Sequence, residues 1–132
     1  MILLDTSALY AIADAGDSQH EAARRTLGRL EEEREEFVVH TYILVETFAL
    51  LQRRHGLSVA IRVARETAGL RTVLVDRAIH DEGVAWLDRH RARPASLVDA
   101  VSFAVMRREG VEIAFAFDPD FVRAGFRVVP GA

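Results

Sequence analysis

Met1-Ile2-Leu3-Leu4-Asp5 is a continuous apolar run that ends at a carboxylate. Apolar character without alternation is typical of a strand that is buried on both faces of a parallel sheet. Three later apolar segments are also interrupted or ended by an acid, at Glu46, Asp99 and Asp118. Because an unpaired buried carboxylate is unfavourable, each of these positions predicts a neutralised acid, an ion pair or a bound cation.

Outward from this run, short apolar segments alternate with longer segments of helical period. The pattern predicts strands at 2–4, 37–40, 72–75, 113–117 and 126–129, and helices at 18–34, 41–54, 58–68, 77–91 and 97–109. Thr41 and Ser96 are the predicted helix caps. The alternation predicts an α/β fold, a three-layer α/β/α sandwich with a mostly parallel sheet of about five strands. Ligands bind beyond the carboxyl ends of the strands in such sheets, where Asp5 and Asp118 are expected.

Composition narrows the possible functions. With 132 residues, half of them apolar, we expect one domain spanning residues 1–132. The chain has no cysteine, which excludes disulfides, zinc–thiolate sites and cysteine nucleophiles. All 17 basic residues are arginine, so mechanisms that need a lysine, including the P-loop, are excluded. We find no signal peptide and no membrane-length apolar run, and we expect a cytoplasmic protein without membrane contact.

Each acid taken alone has a structural explanation. Asp5-Thr6-Ser7 is rich in turn formers. Asp99 lies three residues after Ser96, as in a capping box. Asp118 precedes a proline and can begin a turn, and an ion pair with an arginine would explain Glu46.

Taken together, the four acids predict one acidic pocket. Carboxylates about 4 Å apart repel by roughly 4 kcal/mol at an effective dielectric near 20, so a cluster of four requires raised pKa values or a cation. Oxygen-only ligands favour Mg²⁺ or Mn²⁺ over zinc. A carboxylate-bound Mg²⁺ suits phosphate chemistry, because it lowers the pKa of a water and neutralises charge on the phosphoryl oxygens.

The order of these motifs resembles that of PIN-domain ribonucleases, and most closely that of VapC-type toxins of toxin–antitoxin pairs. The matching segments are Leu4-Asp5-Thr6-Ser7-Ala8-Leu9, Val45-Glu46-Thr47, Ser96-Leu97-Val98-Asp99-Ala100 and Phe117-Asp118-Pro119-Asp120-Phe121, followed by Ala124-Gly125-Phe126. The resemblance covers nearly the whole chain, and its specificity lies in the order and spacing of the motifs. One departure is Ala116, which stands where the family commonly has Thr or Ser, so that a hydroxyl supporting the metal is lost.

The resemblance implies a Mg²⁺- or Mn²⁺-dependent endoribonuclease, which hydrolyses single-stranded or structured RNA by metal-activated water. It implies a cognate antitoxin and a homodimer. It also implies catalytic and metal-binding roles for Asp5, Glu46, Asp99 and Asp118, a further metal ligand in Asp120, and supporting roles for Thr6 and Ser7.

Three arginines just before the Asp99 helix, Arg89, Arg91 and Arg93, are interpreted as contacts to RNA phosphates. A solvent-exposed loop is the alternative explanation. Trp86 has apolar neighbours at helical spacing and is predicted to lie in the core rather than to stack on a base.

Two other functions compete with the nuclease. A catalytically degenerate PIN module would bind RNA or protein without cutting, and Ala116 is its only support. A haloacid-dehalogenase-type phosphatase also begins with an aspartate after the first strand. It is disfavoured, because it needs a second Asp where this chain has Ser7, and it normally uses a lysine.

Overall fold

The computed structural model describes residues 1–131 and contains a five-stranded sheet in which every pairing is parallel. The strands are β1 Ile2–Leu4, β2 Phe37–His40, β3 Arg71–Val73, β4 Ile113–Phe115 and β5 Arg127–Val129. Their order is β3-β2-β1-β4-β5, so β1 lies at the centre. The predicted parallel α/β fold is confirmed.

Seven helices connect and cover these strands within residues 1–131. They are α1 Thr6–Ala13, α2 His20–Glu32, α3 Thr41–His55, α4 Leu57–Glu66, α5 Arg77–Arg89, α6 Leu97–Glu109 and α7 Asp120–Arg123. Helix α5 packs mainly on α6, and α3 on α4. In the part of the chain that the structure describes, none of these helices combines the length and the apolar character that a membrane span requires.

Helix α1 was not predicted, and the interpretation of Asp5-Thr6-Ser7 as a turn is corrected by it. Asp5 is the N-cap of α1, and its side chain accepts a hydrogen bond from the Ser7 N–H. Short polar side chains that begin turns also cap helices, so residue type alone does not distinguish the two structures. Most of α1 is buried, which removes the amphipathic pattern by which a surface helix is recognised.

The predicted cap at Thr41 is also wrong. His40 caps α3, with its Nδ1 accepting from the Ile43 N–H at 3.3 Å. The Thr41 hydroxyl instead accepts from the Val75 N–H at 3.0 Å, which holds the chain beyond β3. The cap at Ser96 is confirmed, because its Oγ accepts from the backbone N–H three residues later at 3.0 Å.

Strand and helix ends shift by a few residues from the predicted positions. Strand β3 covers 71–73 instead of 72–75, β4 ends at Phe115 instead of Phe117, and β5 begins at Arg127. Helix α2 begins at His20 rather than at Ser18, and α4 and α5 each end two residues early, at Glu66 and Arg89. The early end of β4 matters for the site, because the last bond to the sheet is that of the Ala116 N–H to the Val129 carbonyl at 3.1 Å, and the chain has left the sheet when it reaches Asp118.

Close packing of α5 against α6 positions the helix that carries Asp99. Gly83 of α5 touches α6 so closely that a Cβ there would lie 2.8 Å from Val101 Cγ2. Trp86, one turn further along, is buried and meets the Phe103 ring edge-on at 5.1 Å between centroids, which confirms it as a core residue. Phe103 is itself fully buried. The start of α6 is therefore fixed by a rigid core.

Candidate active site

Asp5 and Asp118 follow neighbouring strands. Strands β1 and β4 pair in parallel with Leu4 opposite Phe115. The Asp5 N–H extends this ladder by donating to the Phe115 carbonyl at 3.0 Å. The sequence alone did not show whether these strands were adjacent, and their pairing explains why the two acids meet at one edge of the sheet.

Ser7 ties the ends of β1 and β4 together. Its hydroxyl donates to Asp5 Oδ2 at 2.6 Å and accepts from the Phe117 N–H at 2.9 Å. Burial raises the pKa of Asp5 to about 6, although the hydrogen bonds from Ser7 lower it, and the charges of Asp118 and Glu46 raise it further. Ser7 therefore fixes the Asp5 carboxylate in place and partly stabilises its charge.

Asp99 enters the same pocket from the first turn of α6. Its side chain is buried, with 6% of the residue exposed. Burial raises the pKa of Asp99 to about 8, and the negative charges of Asp5 and Asp118 act in the same direction. Burial and the neighbouring charges accordingly favour the neutral, protonated form of Asp99 when no cation is bound.

Glu46 reaches the pocket from α3. Ala49, Leu50 and Arg53 follow it at helical spacing and line the pocket beside it. The ion pair that would have explained Glu46 is absent from residues 1–131, where no arginine or histidine nitrogen lies within 4 Å of its carboxylate. Arg53 is a pocket residue that was not predicted, although its position seven residues after Glu46 places both on one helix face.

Three aspartates form the most compact part of the site. One carboxylate oxygen from each of Asp99, Asp118 and Asp120 lies within 4.8 Å of the others. Asp118 Oδ1 accepts from the Asp120 N–H at 2.8 Å. Asp118 therefore begins a turn, as its position before a proline indicated, and lines the site as well. Asp120 is half-buried and forms an ion pair with Arg123.

All five acids line one pocket of about 590 Å³, which we call the acidic pocket. Thr6 and Ser7 line it as well. The Thr6 hydroxyl accepts from the Thr47 hydroxyl at 3.4 Å and so connects α1 with α3. Ala116, which stands where the resemblance led us to expect Thr or Ser, is buried next to the end of β4.

The three arginines before α6 do not lie together. Arg89 and Arg93 line a second cavity of about 720 Å³, which we call the basic cavity, together with Trp86, His90, Arg107 and Arg123. Asp120 lines both the basic cavity and the acidic pocket. Arg91 lines a different depression and pairs with Asp88 at 2.6 Å.

The donor set of the acidic pocket fits a hard divalent cation. The ligating atoms on offer are carboxylate oxygens, which suit Mg²⁺ and Mn²⁺. Asp5 and Asp99 are buried, and within residues 1–131 neither has an arginine or histidine nitrogen within 4 Å. Burial first, and then the mutual repulsion of the carboxylates, raise the pKa of both acids, and a bound cation would offset both effects.

Comparisons with known proteins identify relatives along almost the whole chain. The PIN domain family matches residues 2–127. The chain is 39% identical over 128 residues to a Mycobacterium tuberculosis protein named 23S rRNA-specific endonuclease VapC20, covering 96% of this chain and 95% of the relative. The crystal structure of M. tuberculosis VapC20, described as a Sarcin-Ricin loop cleaving toxin, superposes with a TM-score of 0.85 at 38% identity and covers 96% of both chains. A toxin–antitoxin complex from Klebsiella pneumoniae has a TM-score of 0.70 at 16% identity, covers 98% of this chain and 96% of its own, and shares the fold.

Proposed function

Because the chain belongs to the PIN-domain family, we propose that it is an endoribonuclease that hydrolyses RNA phosphodiester bonds with a divalent cation in the acidic pocket. One observation carries the proposal. Five carboxylates converge on one pocket, and two of them are buried with pKa values raised to about 6 and about 8. Such a cluster is unfavourable for folding, and a cation-dependent reaction on a phosphodiester explains why the chain keeps it.

The five acids, Asp5, Glu46, Asp99, Asp118 and Asp120, are the proposed ligands of Mg²⁺ or Mn²⁺, directly or through water. The cation supplies a water of lowered pKa and neutralises charge on the phosphoryl oxygens. Ser7 holds the Asp5 carboxylate by its 2.6 Å hydrogen bond. Since Asp99 must lose its proton to act as a ligand, cation binding should strengthen as pH rises.

The relatives suggest the substrate and the partner. The M. tuberculosis relative is named a 23S rRNA-specific endonuclease. We extend this to the present chain and propose ribosomal RNA as its substrate and a cognate antitoxin as its partner. We further propose that residues 1–132 form a single nuclease domain that assembles as a homodimer.

Cleavage of RNA with controlled metal tests the nuclease proposal. A radiolabelled RNA should be cut with Mg²⁺ or Mn²⁺ and remain intact with EDTA. Water attack should leave a 5′-phosphate and a 3′-hydroxyl. Asp99→Asn should abolish cutting, whereas Asp81→Asn, an exposed acid on α5, should retain it. Products with 2′,3′-cyclic phosphate ends would contradict the mechanism, because those arise when the 2′-hydroxyl of the RNA attacks.

Gene neighbourhood and copurification test the partner proposal. A small reading frame beside this gene that encodes a DNA-binding protein is expected. When both proteins are coexpressed, that protein should copurify with the nuclease and inhibit cleavage. Sedimentation of the isolated nuclease at several concentrations tests the dimer, and a monomer at every concentration would contradict it.

A further inference from the structure

The basic cavity carries a charge that the protein itself does not neutralise. Its two acids are already paired: Glu82 with Arg108 at 2.7 Å, and Asp120 with Arg123. The three other arginines of the lining, 89, 93 and 107, have no carboxylate within 4 Å in residues 1–131. Three unpaired guanidinium groups at one cavity favour a polyanion, and their planar donor geometry matches phosphate.

The same cavity contains a fixed aromatic plane. The His90 ring stacks on the Trp86 indole at 3.9 Å between centroids and 11° between planes. The His90 Nδ1–H donates to the Trp86 carbonyl at 2.7 Å, which fixes the orientation of the ring. Trp86 is buried whereas His90 is exposed, so it is His90 that offers a flat surface to the cavity. Nucleic-acid bases stack on such surfaces whatever their sequence.

The basic cavity adjoins the acidic pocket at Asp120, which lines both. A flexible polyanion bound at the acids would need to extend only past Asp120 and Arg123 to meet the unpaired arginines. An acidic polypeptide would also satisfy the charge. The fixed histidine plane favours a ligand with flat bases, which an acidic polypeptide lacks.

We propose that the basic cavity is a nucleotide subsite, in which Arg89, Arg93 and Arg107 bind phosphates of the RNA strand and His90 stacks on one of its bases. This inference rests on the proposed nuclease function. The subsite would position the RNA strand next to the cleaved bond. Arg91, which pairs with Asp88, is not part of it, unlike Arg89 and Arg93.

Equilibrium binding without divalent metal tests the phosphate contacts. A fluorescent single-stranded RNA of twelve nucleotides is titrated with protein in EDTA at several salt concentrations. We expect Arg93→Gln and Arg107→Gln each to raise the Kd about fivefold at low salt. Each should also reduce the slope of log Kd against log salt by about 0.7. Arg25→Gln is the matched control, because it removes the same charge from an exposed site on α2 that lines none of the cavities described above.

Two variants of one residue test the stacking contact. His90→Ala removes the plane and should weaken RNA binding about fivefold or more. His90→Phe retains a flat ring and should restore most of the affinity, although both variants lose the hydrogen bond to Trp86. With Mn²⁺ present, Arg93→Gln and Arg107→Gln should raise the KM for cleavage with little change in kcat, since both arginines line the basic cavity and not the acidic pocket.

The outcomes separate this inference from the nuclease proposal. RNA binding that depends on Arg93, Arg107 and His90 supports the subsite even if no metal activates cleavage, a result that would refute only the nuclease. If the RNA is cleaved but Arg25→Gln weakens binding as much as Arg93→Gln and Arg107→Gln do, the subsite is overturned and the nuclease proposal stands. Binding of polyglutamate but not of RNA, or no RNA binding at low salt, would also overturn the subsite.

Discussion

Replacing Asp99 by Asn should stabilise the metal-free protein while abolishing its activity. The pKa of Asp99 rises from 3.8 to about 8 on folding. One pKa unit corresponds to about 1.4 kcal/mol, so at pH 7 this carboxyl disfavours the folded state by up to roughly 4 kcal/mol. Asn has nearly the same shape and carries no charge. We expect Asp99→Asn to raise the free energy of unfolding by about 2 to 4 kcal/mol, or the melting temperature by about 8 to 15 °C.

The dependence of this effect on pH follows from its sign. Because the pKa of Asp99 is higher in the folded than in the unfolded state, the folded state is more stable at low pH than at high pH. This stability is lost as the pH rises from 3.8 towards 8. The gap in stability between variant and wild type should therefore be small near pH 4. It should widen by up to about 1.4 kcal/mol per pH unit and level off near pH 8.

Thermal melts in EDTA at several pH values, paired with RNA cleavage in Mn²⁺, measure both effects. Asp81→Asn is the control, because Asp81 is exposed on α5 and its loss should change stability by no more than about 0.5 kcal/mol. If Asp99 served only as an acid in the first turn of α6, its replacement would leave cleavage intact and lower stability slightly through the lost helix-dipole interaction. An active Asp99→Asn variant that is no more stable than the wild type would refute the reasoning.

Three other changes have expected outcomes. Gly83→Ala should lower the free energy of unfolding by about 1 to 3 kcal/mol, because its Cβ would meet Val101 at 2.8 Å, whereas Gly28→Ala, with open space around it, should raise it by about 0.5 to 1 kcal/mol in urea titrations. Ser7→Ala leaves the Phe117 N–H without its acceptor, so we expect the free energy of unfolding to fall by about 1 to 2 kcal/mol. The pKa of Asp5, measured by NMR titration, should rise further, and unchanged stability would refute the bridging role of Ser7. Glu46→Gln should weaken Mn²⁺ binding, so that the free energy by which excess Mn²⁺ stabilises the protein falls by about 1.4 kcal/mol for each tenfold loss of affinity, and the rise in melting temperature caused by Mn²⁺ becomes smaller; an unchanged rise would remove Glu46 from the ligand set.

The sequence was sufficient to predict the sheet and the convergence of the acids. Buried parallel strands are continuous apolar runs, and an acid at the end of such a run is placed at a known edge of the sheet. Asp5 and Asp118 were therefore located by pattern, and the pairing of β1 with β4 made them neighbours. Glu46 was singled out because its surroundings in sequence are apolar, although its helix exposes Val45 and leaves Glu46 at an open pocket.

The parts that escaped prediction depend on contacts between distant segments. No local pattern indicates that the Ser7 hydroxyl bonds the Phe117 N–H, more than a hundred residues away in sequence. Likewise, the stacking of His90 on Trp86 depends on the way α5 ends, which periodicity does not specify. Whether an arginine has a carboxylate partner depends on the tertiary structure, so Arg91, which pairs with Asp88, and Arg93, which lines the basic cavity, were indistinguishable in sequence.

The central position of β1 has a consequence for how the protein is made. Ile2 pairs with Phe37 on one side and with Ile113 on the other, so the middle of the sheet is synthesised long before one of its two neighbours exists. Contacts of such long sequence separation form late and slow the folding of a chain. Asp99 and Asp118 are translated after Asp5 and Glu46, and Asp118 reaches the pocket only when β4 has been translated and has docked beside β1. Ribosomes translating this message thus carry an incomplete acidic pocket until β4 and Asp118 have been made.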